Sequence, residues 1–322
     1  MFAVSAVRLD NDDPLAGLDS GDVPDPTAPP GWVGVRVRAA SLNQHDIWSL
    51  RGVGLGADEL PRVLGCDAAG IDDDGNEVVL HSVIPSADWL GDETLDPKRS
   101  LLSERYDGAF AERVLVPRGN VLPKPGALTF EEAACLPTAW LTAYRMLFTN
   151  SGLQPGGSVL VQGAGGGVAT ALIVLARAAG LRVFVTSRDE GKRGRAVELG
   201  AHEAFEPGAR LPMRVDAVME TVGKATWSHS VKCLRPGGRI VVSGATTGPD
   251  PSAELQRVFY MQLSVVGSTM GSRTELQRLL AFLDVSGARP AIDRVLPLSD
   301  ARQGFEALLA GDVFGKVVFT LD

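Results

Sequence analysis

Sulfur is scarce in this chain: three cysteines in 322 residues, Cys66, Cys135 and Cys233, far apart along the sequence. They form neither a disulfide framework nor the closely spaced thiolates of a structural zinc lobe, so a reducing compartment, the cytoplasm, is expected. Histidine is equally sparse, and His45, His81, His202 and His229 show no metal-ligand spacing. Positive charge is not in excess either. With 31 Lys and Arg against 39 Asp and Glu, a net charge of -8 does not suit a surface that grips nucleic-acid phosphates or anionic lipid. The expected partner is a small molecule. Long apolar runs are missing, the longest around Val168–Ala176 being far shorter than a bilayer crossing, and no basic stretch precedes an apolar one near Met1. There is no Gly-x-Ser-x-Gly and no Ser/His/Asp order. What remains is 45% apolar and 22% charged residues, enough to bury two cores and too apolar for a disordered or fibrous chain.

Two rhythms divide the sequence. From Val33 to about Pro123, short apolar bursts such as VGVRVRAA, EVVLHSVI and ERVLVP are broken by Gly, Pro and Asp, the pattern of a mainly β unit. From Phe130 the period changes. EEAACLPTAWLTAYRML predicts a helix, and SVLVQ, TALIVLARAAG, RVFVTS and KRGRAVELGA then alternate strand and helix. VDAVMETV, RIVVSG and SVVGST continue as strands four to six, separated by ATWSHSVKCL and ELQRVFYMQ as helices. Such alternation needs crossover connections and therefore a doubly wound parallel six-stranded sheet of the dinucleotide-binding kind, an α/β architecture. Leu276, Leu279, Leu280 and Leu283 fall at helical spacing, and two more strands surround a helix at Asp300–Leu309.

The glycine turn after the first of these strands carries the most specific chemistry. The strand ends at Gln162, Gly163, Ala164, Gly165, Gly166 and Gly167 follow, and a helix begins near Val168. Unpaired N–H groups and a positive helix end converge there, where a pyrophosphate fits if no side chain blocks it. The spelling is one residue longer than G-x-G-x-x-G, and Ala169 stands where the third glycine would be. At the end of the second strand, an acidic residue would select NAD through the ribose 2′-OH. Here Ser187 and Arg188, followed by Lys192, favour the 2′-phosphate of NADPH, although Asp189 and Glu190 are placed to reach back to a ribose hydroxyl. By the same arrangement Val222, the turn Gly244, Ala245 and Thr246, and Ser268, Thr269 and Met270 line the cofactor at the ends of strands four, five and six.

With these motifs in order, the sequence resembles the medium-chain dehydrogenase/reductases, the superfamily of zinc alcohol dehydrogenases and quinone oxidoreductases. AASLNQHDIWSLRG, LPRVLGCDAAG, YDGAFAERVLVP, KRGRAVELGA, LRPGGRIVVSGATTG and FGKVVFTL all sit in that family's order. The resemblance implies a GroES-like catalytic domain from residues 1–124 and 288–322, a Rossmann NADP-binding domain at 125–287, and an active site in the cleft between them. It also implies that Phe314 and Lys316 approach the cofactor. Zinc members hold their metal with Cys, His and Cys; this chain has Asn43, Cys66 and Thr138 in those places, and no four-cysteine lobe. Asparagine and threonine do not replace thiolates at tetrahedral zinc, so no metal is expected.

Without a Lewis acid, hydride addition to a quinone or an α,β-unsaturated carbonyl is favoured over alcohol oxidation, because hydrogen bonds alone can stabilise the enolate-like anion. Asn43, His45 and Thr138 are the expected catalytic groups, with His45 a donor of a proton or hydrogen bond to the oxyanion. Asp46 and Asp67 either orient His45 or cap local turns. Trp48, Trp89 and Tyr106 are candidates for an apolar substrate wall or for core. Two other readings remain open: a non-catalytic NADPH-binding sensor, and a zinc-dependent alcohol dehydrogenase using His45, Cys66 and Asp67. The last strand, at SVVGST, is expected to pair with a second copy in a homodimer.

Overall fold

A computed structural model describes residues 1–321. Its contacts divide the chain into two units: Met1–Ala139 with Ser272–Val285 and the chain from Ile292 on, and Trp140–Gly271 with Ser286–Ala291. Residues 125–139 and 272–285, expected with the cofactor-binding part, thus pack with the first unit. The reason is local for the first of these segments. Thr129 caps the helix Phe130–Ala134, whose face lies on the strands Trp32–Ser41 and Asp67–Asp72. The helix Arg273–Ser286 is tied to the same unit where the Arg273 backbone N–H donates to Glu93, while its Leu276, Leu279, Leu280 and Leu283 are buried as their spacing predicts.

The first unit is built on a seven-stranded sheet in the order Val121–Pro123, Glu77–Leu80, Asp67–Asp72, Trp32–Ser41, Lys316–Thr320, Ile292–Pro297, with Arg113–Pro117 also paired to Trp32–Ser41. All these pairs are antiparallel except the last two strands in that order, which run parallel across the helix Ala301–Ala310. Along VGVRV, Val33, Val35 and Val37 point into the core while Arg36 stays exposed, the period-two signature of a half-buried strand. Beyond Ala39 both faces are covered. Phe110 meets Phe319 edge to face at 5.1 Å, and Gly65, at φ +94, lies so close to the Phe110 ring that a Cβ would overlap it. Glycine there delivers Cys66 and Asp67 to the covered end of the sheet.

In the second unit six parallel strands run in the order Glu203–Phe205, Arg182–Thr186, Ser158–Gln162, Val215–Glu220, Leu234–Val242, Ser264–Gly267. This is the doubly wound order, with its switch point beside Ser158–Gln162. The third strand is three residues long and shows no apolar pattern of its own. One expectation is corrected: EEAACLPTAWLTAYRML is not a continuous helix. Short α-helical pieces at Phe130–Ala134 and Leu141–Tyr144 alternate with wider turns at Leu136–Trp140 and Arg145–Asn150. Pro137 has no N–H to continue the ladder, and the loosened turn that results carries Thr138.

Candidate functional site

Three positions read from the sequence meet in the first unit. Asn43 precedes the helix Gln44–Leu50, Cys66 follows Gly65, and Thr138 sits in the widened turn. The Asn43 Nδ2 lies 3.7 Å from Cys66 Sγ, and Cys66 Sγ is 3.4 Å from Thr138 Oγ1. Asn43 and Cys66 are buried, while Thr138 is partly open to solvent.

The cluster is held by a buried cation. Lys316 donates from Nζ to Leu42 O at 2.7 Å and to Asn43 Oδ1 at 2.5 Å, and lies 3.5 Å from Asp67 Oδ2. Lys316, expected to approach the cofactor, is 2% exposed and its ammonium is instead engaged by these protein oxygens. Asn43 departs from expectation in the same way. Its Oδ1 accepts from Lys316, and its Nδ2 donates to Asp67 Oδ2 at 2.8 Å and to Ser41 O at 3.2 Å, so the amide is saturated from within the protein. Ser41 and Ser82 hydroxyls complete the shell of Asp67, which orients this network and not His45.

Asp46 is a cap. Its carboxyl accepts the Asn43 N–H at 2.8 Å and the Gly65 N–H at 3.1 Å. Complete burial, reinforced by the neighbouring Asp67 charge, pushes it up to about 7 against the pull of these N–H donors and Lys316. The folded form therefore binds this proton more tightly than the unfolded chain, whose carboxyl has the ordinary value of 3.8. Stability from this group is full below about pH 4 and lost as the pH rises through about 7. Urea titrations of Asp46→Asn across that window are expected to give a flatter dependence of unfolding free energy on pH than the parent; an unchanged slope would contradict this.

His45 is partly buried, with Nε2 shut away from solvent, without a hydrogen bond and 3.9 Å from Glu104 Oε1. Burial lowers its pKa to about 4, so at neutral pH the imidazole is uncharged and offers one N–H as donor. Of the three expected catalytic groups, only Thr138 thus pairs a polar atom with a face open to solvent, while His45 Nε2 is enclosed. The candidate wall residues have partners of their own: Tyr106 packs on Trp32 at 4.9 Å, Trp48 carries the Arg51 guanidinium over its ring, and the Trp89 indole donates to Asp92 O.

A tetrahedral zinc does not fit this donor set. Asn43 turns an amide N–H toward Cys66, and an N–H has no lone pair to give. Desolvation, with Asp67 and Asp46 close by, holds the Cys66 thiol well above its ordinary value and so protonated. Among the described residues no group of three or more His, Cys, Asp or Glu is arranged for a metal.

In the second unit the expected cofactor positions do converge on the carboxyl ends of the parallel strands. Gly163 has φ +87, and the helix Gly167–Ala178 starts at Gly166 without a side-chain cap. A Cβ built on Gly166 meets no atom within 4 Å. Open space before uncapped N–H groups suits a pyrophosphate, so the turn fits a dinucleotide. Val222 lies in a loop pinned by Glu220, whose Oε1 accepts the Val222 and Gly223 N–H groups at 2.9 and 3.0 Å. Thr247 donates to Val222 O from both N–H and hydroxyl, stitching Gly244–Thr246 to that loop. Ser268 accepts from Asn150, Thr269 is exposed and Met270 has φ +49. Phe314 is buried in the first unit.

At the end of the second strand, Asp189 caps the helix Glu190–Leu199, its Oδ1 accepting the Lys192 N–H at 2.8 Å. The Arg188 side chain is exposed, with no partner among the described residues. Arg193 donates to both Ser187 O and Arg188 O, at 2.8 and 3.3 Å, and shapes that loop. The sequence alone missed Arg193, Glu220 and Gln162. Each acts by bonding the backbone or side chain of a motif neighbour, and only the helical offset of Arg193 from Ser187 hinted at it.

This fold and cradle define an oxidoreductase of the two-unit, nucleotide-binding dehydrogenase kind. Residues 29–126 match the alcohol dehydrogenase GroES-like domain family and residues 167–285 the zinc-binding dehydrogenase family, so the chain belongs to the medium-chain dehydrogenase/reductase superfamily. It is 30% identical to a zinc-type alcohol dehydrogenase-like protein of Schizosaccharomyces pombe, over 91% of this chain and 92% of that one. It is also 30% identical to the quinone oxidoreductase of Mus musculus, over 89% and 88%. A crystal structure of an NAD-dependent alcohol dehydrogenase is similar throughout, with a TM-score of 0.93, 35% identity and full coverage of both chains. No described helix is long and apolar enough to cross a membrane.

Proposed function

We propose that the chain is a cytoplasmic, metal-independent, NADPH-dependent reductase of a quinone or an α,β-unsaturated carbonyl. The observation that carries the reading is the Asn43, Cys66 and Thr138 cluster, which joins the three metal-binding positions of zinc relatives by hydrogen bonds among groups unsuited to zinc. Similarity to the mouse quinone oxidoreductase supports the acceptor class. The glycine turn Gly163–Gly167 and the loops at Val222, Gly244 and Ser268 would hold the dinucleotide, which when bound supplies a hydride. This chain's own contribution would be to offer a neutral donor, the Thr138 hydroxyl, to the oxygen on which charge develops. Such donors suffice for acceptors that are already electron-poor.

Preference for NADPH rests on Ser187 and the exposed Arg188 side chain, with Asp189 Oδ1 engaged as a cap. Steady-state oxidation of NADPH and NADH with a panel of quinones and enones tests both parts of the reading. Arg188→Ala is expected to raise KM for NADPH about tenfold, roughly the worth of one charge-assisted hydrogen bond, and to leave KM for NADH unchanged. Equal effects on the two cofactors would contradict the assignment of the 2′-phosphate.

We also propose a homodimer through the sheet edge Ser264–Gly267, where Val265 is 49% exposed and Phe259 and Tyr260 on the preceding helix are 70% and 78% exposed. An unpaired strand flanked by large exposed apolar side chains favours pairing with its own copy. Light scattering should give twice the chain mass; a monomer mass at all concentrations would refute it.

A further inference from the structure

We propose that Lys316, Asn43, Cys66 and Thr138 form one directed hydrogen-bond chain, headed by a buried ammonium and ending in the Thr138 hydroxyl, which donates to the acceptor's oxygen. The proposal deepens the reductase reading and rests on it. Its direction follows from what each atom can do. Lys316 Nζ can only donate, so Asn43 Oδ1 accepts. Asn43 Nδ2 can only donate, its two hydrogens being shared among Asp67 Oδ2, Ser41 O and Cys66 Sγ. Cys66 Sγ has two polar neighbours, that amide nitrogen and Thr138 Oγ1. The first offers no lone pair, so the thiol hydrogen has one acceptor, Thr138 Oγ1 at 3.4 Å.

With the thiol as donor, Thr138 Oγ1 accepts on its protein side. Its own hydrogen then has no further partner among the described residues, and Thr138 is the one member of the series open to solvent. Every bond in the series points the same way, from a fixed positive charge toward the pocket, so each polarises the next and the last hydroxyl becomes a stronger donor than an isolated threonine. Burial of Cys66 keeps the thiol hydrogen in place for this purpose. Thr138 touches the acceptor and is the catalytic residue; Cys66, Asn43 and Lys316 position and polarise it. The chain makes and breaks no covalent bond: it stabilises the oxyanion produced when hydride reaches the acceptor carbon.

Four variants test it: Cys66→Ala, Thr138→Val, the double Cys66→Ala/Thr138→Val, and Cys66→Ser, with thermal unfolding of each as a control for folding. Thr138→Val is expected to lower kcat about 100-fold, the scale of losing one oxyanion donor. Cys66→Ala, which weakens that donor without removing it, should lower kcat about tenfold, or about 1.4 kcal/mol. The double variant should be no slower than Thr138→Val, KM for NADPH should stay within about twofold in all, and Cys66→Ser should restore most of the loss because a hydroxyl donates in place of the thiol. A second readout needs no turnover. The infrared S–H stretch of Cys66, isolated by subtracting the Cys66→Ala spectrum, should move to higher frequency in Thr138→Val as the thiol loses its acceptor. An unshifted band, multiplicative losses, or parental kcat in Cys66→Ala would overturn the chain. Absence of turnover in the parent with every quinone and enone would instead overturn the reductase reading, and with it the catalytic role of Thr138.

Discussion

Methionine in place of Lys316 is expected to cost about 3–5 kcal/mol of stability, the scale for removing one partner of a buried ion pair. Lys316 is 2% exposed and Asp67 is fully buried, 3.5 Å apart, so the substitution strands a carboxylate where water cannot reach it. Asn43 Oδ1 and Leu42 O lose their donor in the same step. The denaturant midpoint reads the effect. Replacing Asp67 as well, in Lys316→Met/Asp67→Leu, should recover part of the loss, because no charge is then left alone. A shift below about 1 kcal/mol in the single variant would mean that the ammonium is solvated in solution and does not organise the cluster.

Valine at Gly166 should have the opposite profile, little change in folding and a loss of dinucleotide binding of at least about 100-fold, some 2.7 kcal/mol. Gly166 has φ -76 and ψ 160, a conformation any residue adopts, and a Cβ there meets no protein atom within 4 Å. The space is open only while no ligand occupies it. A branched side chain would stand where the pyrophosphate approaches the uncapped N–H groups of the helix Gly167–Ala178. Calorimetric titration with NADPH, alongside thermal unfolding of the free protein, separates the two effects. Parental affinity in Gly166→Val would show that the turn does not cradle the phosphates. Gly163 would be a poorer probe, since its φ of +87 makes any substitution there a folding defect as well.

The parallel sheet was legible because its apolar strands alternate with helices at a period that admits few arrangements, and the glycine turn falls at the first strand's end where such folds bind phosphate. The third strand, Glu203–Phe205, escaped because three residues carry no periodicity. The helix expected over EEAACLPTAWLTAYRML was broken by Pro137, whose effect depends on whether packing tolerates a wider turn. Of the site, the convergence of Asn43, Cys66 and Thr138 was foreseen through family resemblance. Their roles were not. The inward turn of Lys316 saturates Asn43 and leaves Thr138 as the member of the cluster open to solvent, a matter of side-chain direction that spacing does not encode. Asp189 illustrates the same gap: its capping bond to the Lys192 N–H depends on side-chain direction and was not read from the sequence.

An internally bonded cluster, with a lysine ammonium as its fixed cation, is expected to serve reduction of electron-poor acceptors without zinc. Purified protein assayed for NADPH oxidation with a quinone and an enone, before and after exhaustive chelation and with its metal content measured, tests this most directly. Turnover is expected to survive chelation, in protein carrying far less than one zinc per chain. Stoichiometric zinc whose removal abolishes turnover, and whose return restores it, would contradict it.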